Sequence, residues 1–249
     1  MFTKIKTPAE VAALRESGKM LATVLQLMAK ETVPGITPQE MSHIAAQELK
    51  KLGGSAPFEG YYGYPDIICI SVNSQVQHGI PTDIPLQNGD VVNYDFGVEY
   101  RGMITDAGIS VGVGAISKDA QRLLTGTQQA LTAGIAAVHG DCQVGDISAA
   151  IEAVLRHYDL GIVRDLVGHG VGHQLHEDPN IPNYGRKATG PILQAGMTIA
   201  IEPITTLGGY EIRQDNDGWT LWTADGSWSA QFEHTLLVTN DGAEVLTRL

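Results

Sequence analysis

Four carboxylates stand where apolar strand cores are expected. Asp95 lies in Val91-Val92-Asn93-Tyr94-Asp95-Phe96 and Asp106 in Met103-Ile104-Thr105-Asp106-Ala107. Glu202 lies in Thr198-Ile199-Ala200-Ile201-Glu202-Pro203, and Glu233 in Ala230-Gln231-Phe232-Glu233-His234-Thr235. Strand side chains alternate between faces, so Glu202 shares a face with Thr198 and Ala200 while Ile199 and Ile201 point the other way. An ionised carboxylate in such a place is costly unless it is paired or metal-bound. None of the 16 basic residues falls within these strand cores. A bound cation is the economical partner.

Histidine adds a nitrogen donor. Gly168-His169-Gly170-Val171-Gly172-His173-Gln174-Leu175-His176 follows the strand-like run Ile162-Val163-Arg164-Asp165-Leu166-Val167. Glycines beside His169 let the backbone approach a bound group closely. If Asp95, Asp106, His169, Glu202 and Glu233 are ligands, their charge is −4 with neutral histidine, which two divalent cations cancel. Oxygen-rich ligands with one imidazole suit Mn, Fe, Co or Zn. Two such ions sharing carboxylates bring the pKa of an intervening water into the neutral range and polarise a carbonyl, which is hydrolase chemistry.

The rest of the sequence limits the partners. Net charge is −12 and no Lys/Arg cluster interrupts it, which argues against DNA and an anionic membrane. The start, MFTKIKTPAE, has no apolar signal region, and no run approaches the ~18 apolar residues of a membrane span. Two cysteines without a CxxC give neither a disulfide framework nor a structural zinc site, so a cytoplasmic location is expected.

The elements that must position these groups are legible in outline. Thr7-Pro8-Ala9-Glu10 and Thr37-Pro38-Gln39-Glu40 are helix starts with a capping box and proline at the first turn. The first helix runs to Val33-Pro34-Gly35 and the second to about Leu52. Ser117 caps a third, to about Val138, and a fourth covers about Asp146 to Tyr158. Residues 55–66 read as a loop. Strands are predicted near 67–73, 91–98, 102–111, 162–168, 197–203, 210–214, 219–223 and 230–238. Helix pairs thus alternate with strand groups twice, which predicts an α/β (α+β) chain of two similar halves. Leu86-Gln87-Asn88-Gly89 precedes the strand of Asp95 as Leu193-Gln194-Ala195-Gly196 precedes that of Glu202, with the carboxylate at the same distance from the glycine. No Pro, Ser or charge-rich linker divides residues 1–249, so one domain is expected.

Over essentially its whole length the sequence resembles the short bacterial methionine aminopeptidases. The matching stretches are IKTPAE, GYPDIICISVN, HGIP at 78–81, the Asp95/Asp106 pair, GHGVG with His176, IAIEP and AQFEHT, with the five ligand types in the family's order and separations. The resemblance implies a pita-bread fold with antiparallel sheets and outer helices around a central dimetal site. It implies that Asp95, Asp106, His169, Glu202 and Glu233 are metal ligands, with Asp106 and Glu233 bridging two ions of Co, Mn, Fe or Zn. It makes Glu202 the acid/base partner of the attacking water, His176 the stabiliser of the scissile carbonyl oxygen, and His78 the contact to the scissile amide nitrogen. Phe58, Tyr61, Tyr64, Cys69, Leu175 and Trp219 take the methionine-pocket positions. The implied partners are the N-termini of nascent polypeptides, with the ribosome an optional second partner, and the implied state is a monomer.

Some positions depart from the family pattern. Phe58 stands where cysteine is usual and Leu175 where phenylalanine is, two opposite volume changes read here as compensating. Tyr62 replaces a common histidine at the cleft entrance, and Gly97 and Ala107 replace hydroxyl residues near the aspartates, which predicts weaker metal retention. Three alternatives stand beside the leading reading: a low-activity methionine aminopeptidase, another peptidase of the fold such as aminopeptidase P or prolidase, and a non-catalytic peptide-binding module.

Overall fold

A computed structural model describes residues 1–249. Helices α1 (Pro8–Glu31) and α2 (Pro38–Leu52) both open with the predicted reciprocal cap: the threonine hydroxyl accepts the glutamate N–H, and the glutamate carboxylate accepts the threonine N–H. Strands β1 (Cys69–Val72), β2 (Gln75–Gln77), β3 (Val91–Tyr100) and β4 (Met103–Gly112) follow. The second half has α3 (Lys118–Ala136) and α4 (Val144–His157), then β5 (Gly161–Ile162), β6 (Gly168–Gly170), β7 (Glu177–Ile181), β8 (Thr198–Ile201) and β9 (Ile204–Thr206). It ends with β10 (Ile212–Gln214), β11 (Leu221–Thr223), β12 (Ser229–Gln231), β13 (His234–Val238) and β14 (Ala243–Val245).

In the first half, β3 and β4 form an antiparallel hairpin, and β1 lines the other edge of β3. The apolar stripe of α1 (Leu14, Leu21, Val24, Leu25, Met28) is buried, and Leu21, Val24, Leu25 and Met28 join Val92, Tyr94, Phe96 and Val98 in one core. Each fully buried side chain of this kind contributes roughly 1.5–3 kcal/mol. In the second half, α3 and α4 pack a separate core against Ile199, Ile201, Leu236 and Val238 of a five-stranded sheet ordered β14-β13-β8-β6-β7. Smaller sheets β12-β9-β5 and β10-β11-β2 complete the fold. No helix is long and apolar enough to cross a membrane.

The internal echo is physical. Gly89 and Gly196 both take left-handed backbone, with φ of +100° and +91°. Gly89 N–H donates to the Val113 carbonyl at 2.7 Å, and Gly196 N–H to the Val238 carbonyl at 2.8 Å. Each turn therefore pins the start of a ligand-bearing strand to the end of its hairpin or sheet neighbour.

The structure departs from the predicted strands in instructive places. The run 197–203 ends as β8 at Ile201, because Pro203 has no N–H to offer a ladder. Glu202 therefore lies just past a strand end rather than within it. The run 230–238 divides into β12 and β13, which join different sheets. At the break, Glu233 N–H donates to the Gly108 carbonyl at 2.8 Å and so ties the second half to β4. The predicted strand 162–168 survives only as β5 and the start of β6, while β2, β7, β9 and β14 lie outside the predicted strands.

Candidate active site

The five proposed ligands converge from both halves. Asp95 comes from β3, Asp106 from β4, His169 from β6, Glu202 from the end of β8 and Glu233 from the β12–β13 break. All are buried, between 2% and 8% exposed. Donor atoms of Asp106, His169 and Glu233 lie within 4.8 Å of one another. His169 Nε2 is 3.5 Å from Glu202 Oε1 and 3.9 Å from Asp106 Oδ2. His169 Nδ1 sits 2.9 Å from the Gly170 carbonyl, which can only accept, so Nδ1 carries the hydrogen and Nε2 presents a lone pair to the carboxylates.

These residues fit a divalent cation. Asp95 Oδ1, Asp106 Oδ1 and Glu233 Oε1 are buried with no hydrogen-bond partner. No lysine or arginine pairs with any of the four carboxylates. Orphaned anionic oxygens of this kind are strongly destabilising unless a positive charge meets them. Burial, reinforced by mutual repulsion, holds Asp106, Glu202 and Glu233 well above the usual carboxylate range. Burial also pushes Asp95 up to about 6, against the opposing hydrogen bonds of Gln77 and Gln231. Burial, with His176 close by, takes His169 down to about 3, so its ring is neutral and available as a ligand.

A stability prediction follows for the protein stripped of metal. Groups whose folded pKa is raised stabilise the fold fully below their unfolded values, and this contribution is lost as pH rises through the folded values. Here the loss begins below about 6, the Asp95 value, and continues above it. Buried neutral His78 and His169 act in the opposite sense below their ordinary value of 6.5, so the comparison is made above it: the metal-free protein should melt at a lower temperature at about pH 8 than at about pH 6.5, and divalent metal at about pH 8 should restore the loss. Thermal melts with and without chelator test this; identical curves would count against a buried carboxylate cluster.

Every predicted pocket residue borders the same cleft of about 290 Å³. Phe58, Tyr64, Cys69 and Leu175 are buried in one apolar cluster, with Tyr61 and Trp219 packed against it. Tyr64 donates to the Gly79 carbonyl at 2.9 Å, and its ring meets Trp219 edge-on at 5.2 Å between centroids. Burial raises the Cys69 thiol well above its ordinary pKa, so Cys69 is an inert wall rather than a nucleophile. His78 has a left-handed backbone, φ +56°, and burial lowers its pKa to about 4, leaving it neutral. Tyr62 lies at the rim, 87% exposed.

His176 sits on the loop between β6 and β7, with its ring 4.4 Å from that of His169. Its Nδ1 is 3.0 Å from the Tyr61 hydroxyl, which can donate to it and leave the hydrogen on Nε2. The loop is anchored from below: Glu177 Oε1 accepts the His173 and Gln174 N–H groups at 2.8 and 2.9 Å, and buried Lys6 Nζ lies 3.7 Å from Glu177 Oε2.

Two of the departures acquire a spatial meaning. A Cβ at Gly97 would stand 2.8 Å from Phe58 Cε1 and 2.9 Å from Pro57 Cγ. The absent side chain at 97 leaves room for the Phe58 ring. Ala107 belongs to the apolar core beneath α1 and α2. Gly97→Ala should press the Phe58 ring into the cleft. Overpacking of about 1–3 kcal/mol there predicts a KM for a methionyl peptide roughly tenfold higher, with kcat held. Steady-state kinetics on the purified variant would show it, and an unchanged KM would refute it.

Sequence reasoning missed Gln77, Leu166 and Val167, which also border the cleft, and Gln231, which touches two of the carboxylates. Gln231 had a usable signal, since strand alternation places it on the face of Glu233 two residues on.

The comparisons with known proteins agree with this geometry. The signature of metallopeptidase family M24 matches residues 12–240. The chain belongs to that family. Within M24 it is 42% identical over 243 residues to the methionine aminopeptidase of Clostridium perfringens, covering 98% of each chain. The crystal structure of methionine aminopeptidase from Thermotoga maritima superposes with a TM-score of 0.98 at 39% identity, covering all of both chains. That of Rickettsia prowazekii gives 0.96 at 37% identity, covering 99% of this chain and 100% of its own. Prolidase from Pyrococcus furiosus shares the fold alone, with a TM-score of 0.79 at 22% identity and only 65% of its length covered. The pita-bread fold expected from the sequence is thus the fold observed, and M24 membership carries the dependence on divalent metal.

Proposed function

We infer that this chain is a metal-dependent methionine aminopeptidase that removes the N-terminal methionine of polypeptides. One observation carries the reading. The unpartnered oxygens of Asp95, Asp106 and Glu233 lie in the same cleft as an apolar pocket lined by Phe58, Tyr64, Cys69, Leu175 and Trp219. Its ligand count, oxygen-rich with one imidazole and a charge of −4, supports two divalent ions of the Mn, Fe, Co or Zn type. When bound, such ions lower the pKa of water and polarise the scissile carbonyl. Both halves supply ligands, which supports the chain acting as one unit.

The protein's own groups do the remaining work. Aromatic and aliphatic walls receive the flexible thioether side chain of the first residue. Glu202, whose carboxyl is held above its usual range by burial, takes the proton from the attacking water and returns it to the departing amine. His176, with Nδ1 occupied by Tyr61, aims Nε2–H at the carbonyl oxygen as that oxygen gains charge. Neutral His78 contacts the scissile amide nitrogen. Substrates are the N-termini of new polypeptides, and a cytoplasmic monomer is the expected state.

Substrate class is decided by a paired assay. The chain is stripped with chelator, then reconstituted with Mn, Co, Fe or Zn and given Met-Ala-Ser and Ala-Pro-Ala. Release of methionine from the first alone supports the reading. Cleavage of the proline peptide alone would transfer the chain to the proline-specific branch of the fold, and cleavage of neither would leave a binding module.

A further inference from the structure

Asp95 is divided between its two oxygens. Oδ1 is buried and has no protein partner. Oδ2 accepts from Gln77 Nε2 and, at 3.2 Å, from Gln231 Nε2. The amides that hold it form a closed relay. Gln77 Nε2 also donates to Gln231 Oε1 at 2.7 Å, as does Asn93 Nδ2 at 2.7 Å. Gln231 Nε2 donates onward to Glu233 Oε2 at 3.1 Å, leaving Glu233 Oε1 unpartnered like Asp95 Oδ1. Ser110 Oγ accepts the Gln231 N–H at 2.9 Å and donates to the Gln231 carbonyl at 2.9 Å, which fixes the Gln231 backbone. Gln77 Oε1 accepts the backbone N–H of His78 at 3.2 Å.

Ionised carboxylates accept and do not donate, so with Asp95 and Glu233 ionised each amide in this chain has one permitted orientation. The fold also reserves room for it. A Cβ on Gly108 would stand 3.2 Å from the Gln231 amide carbon and oxygen. Gln77, Asn93 and Gln231 are all buried, at 2%, 3% and 0% exposure. Strand β2 is held by β11, whose Leu221 pairs with Gln77 and which follows directly on the β10–β11 connection bearing Trp219.

We propose that Gln77 is a positioning residue for the metal site: with Gln231 it clamps the outer oxygen of Asp95 and aims the inner one at a metal, while joining that ligand to the backbone of His78. The inference rests on the dimetal reading and adds a residue to it. Partners that orient a metal ligand typically change affinity by ~10–100-fold when removed. The effect should be confined to one ion. Asp106, His169 and Glu233 form a converging group without Asp95; in the proposal Asp95 serves the second ion.

Gln77→Met, which keeps the stem and loses the amide, tests this, with Gln77→Leu made alongside in case the first does not fold. Chelator-stripped wild type and variant are titrated with Mn(II) in a calorimeter, and the melting temperature of each metal-free protein is taken. In the expected result one binding step weakens ~10–100-fold, the other is unchanged, and the metal-free melting temperature stays close to wild type. Two unchanged steps in a folded variant would overturn the role of Gln77. So would a fall in both steps together with the melting temperature, which is the mark of a merely structural residue. Wild type that binds no Mn(II) would instead overturn the dimetal reading itself.

Discussion

His169→Ala should abolish peptidase activity and sharply reduce metal binding, while the chain still folds at mildly acidic pH. The imidazole is the only nitrogen among the five proposed ligands, and its Nε2 faces Glu202 and Asp106 at 3.5 and 3.9 Å. Changing a group that only orients a ligand costs ~10–100-fold, so deleting the ligand itself should exceed that range. With metal held less tightly the buried carboxylates are less well neutralised, so the variant should gain less melting temperature from added metal than wild type does. Calorimetric titration, bound-metal analysis and a methionine-release assay on the same preparation are the measurements. A variant that retains activity within tenfold of wild type would remove His169 from the ligand set.

His176→Ala should behave differently, and the contrast is the informative part. Its ring lies against His169 but its Nδ1 is occupied by Tyr61, and it is absent from the group of donor atoms that converge around His169. Metal affinity should therefore stay near wild type. The chemical step should slow by ~100- to 1,000-fold, equivalent to about 2.7–4 kcal/mol, as when a donor to a developing oxyanion is lost. Because the interaction strengthens as charge develops, kcat should fall with little change in KM. Loss of metal along with activity would make His176 a ligand, and unchanged kcat would remove it from the chemistry.

The local signals in the sequence were strong where local physics decides the outcome. Both threonine caps, the proline starts and the two Leu-Gln-x-Gly turns are settled by residues within a few positions of each other, and all formed as read. The carboxylates were legible because they sit in apolar strands, where an unpaired charge is anomalous. What was hidden depends on tertiary placement. Alternation predicted Glu202 within a strand, but Pro203 ends β8 one residue earlier and turns the carboxylate toward the cleft. The break at Phe232–Glu233 arises from pairing with Gly108 on another half of the molecule, which no local pattern reports. Phe58 and Gly97 read as two separate departures until their contact made them one packing solution. Gln77 is a polar residue in a short strand that is specified only by its sheet partner, and its meaning lies in amide contacts with residues far along the chain.

The central claim is that methionine release by this chain depends on divalent ions held by Asp95, Asp106, His169, Glu202 and Glu233. Its most direct test is a titration of chelator-stripped protein with Mn(II), in which bound metal and methionine released from Met-Ala-Ser are measured in the same samples. The account predicts negligible release without metal, release that rises with bound metal, and binding that saturates at two ions per chain. Release that persists in the stripped protein, or no release at saturating metal, would contradict it.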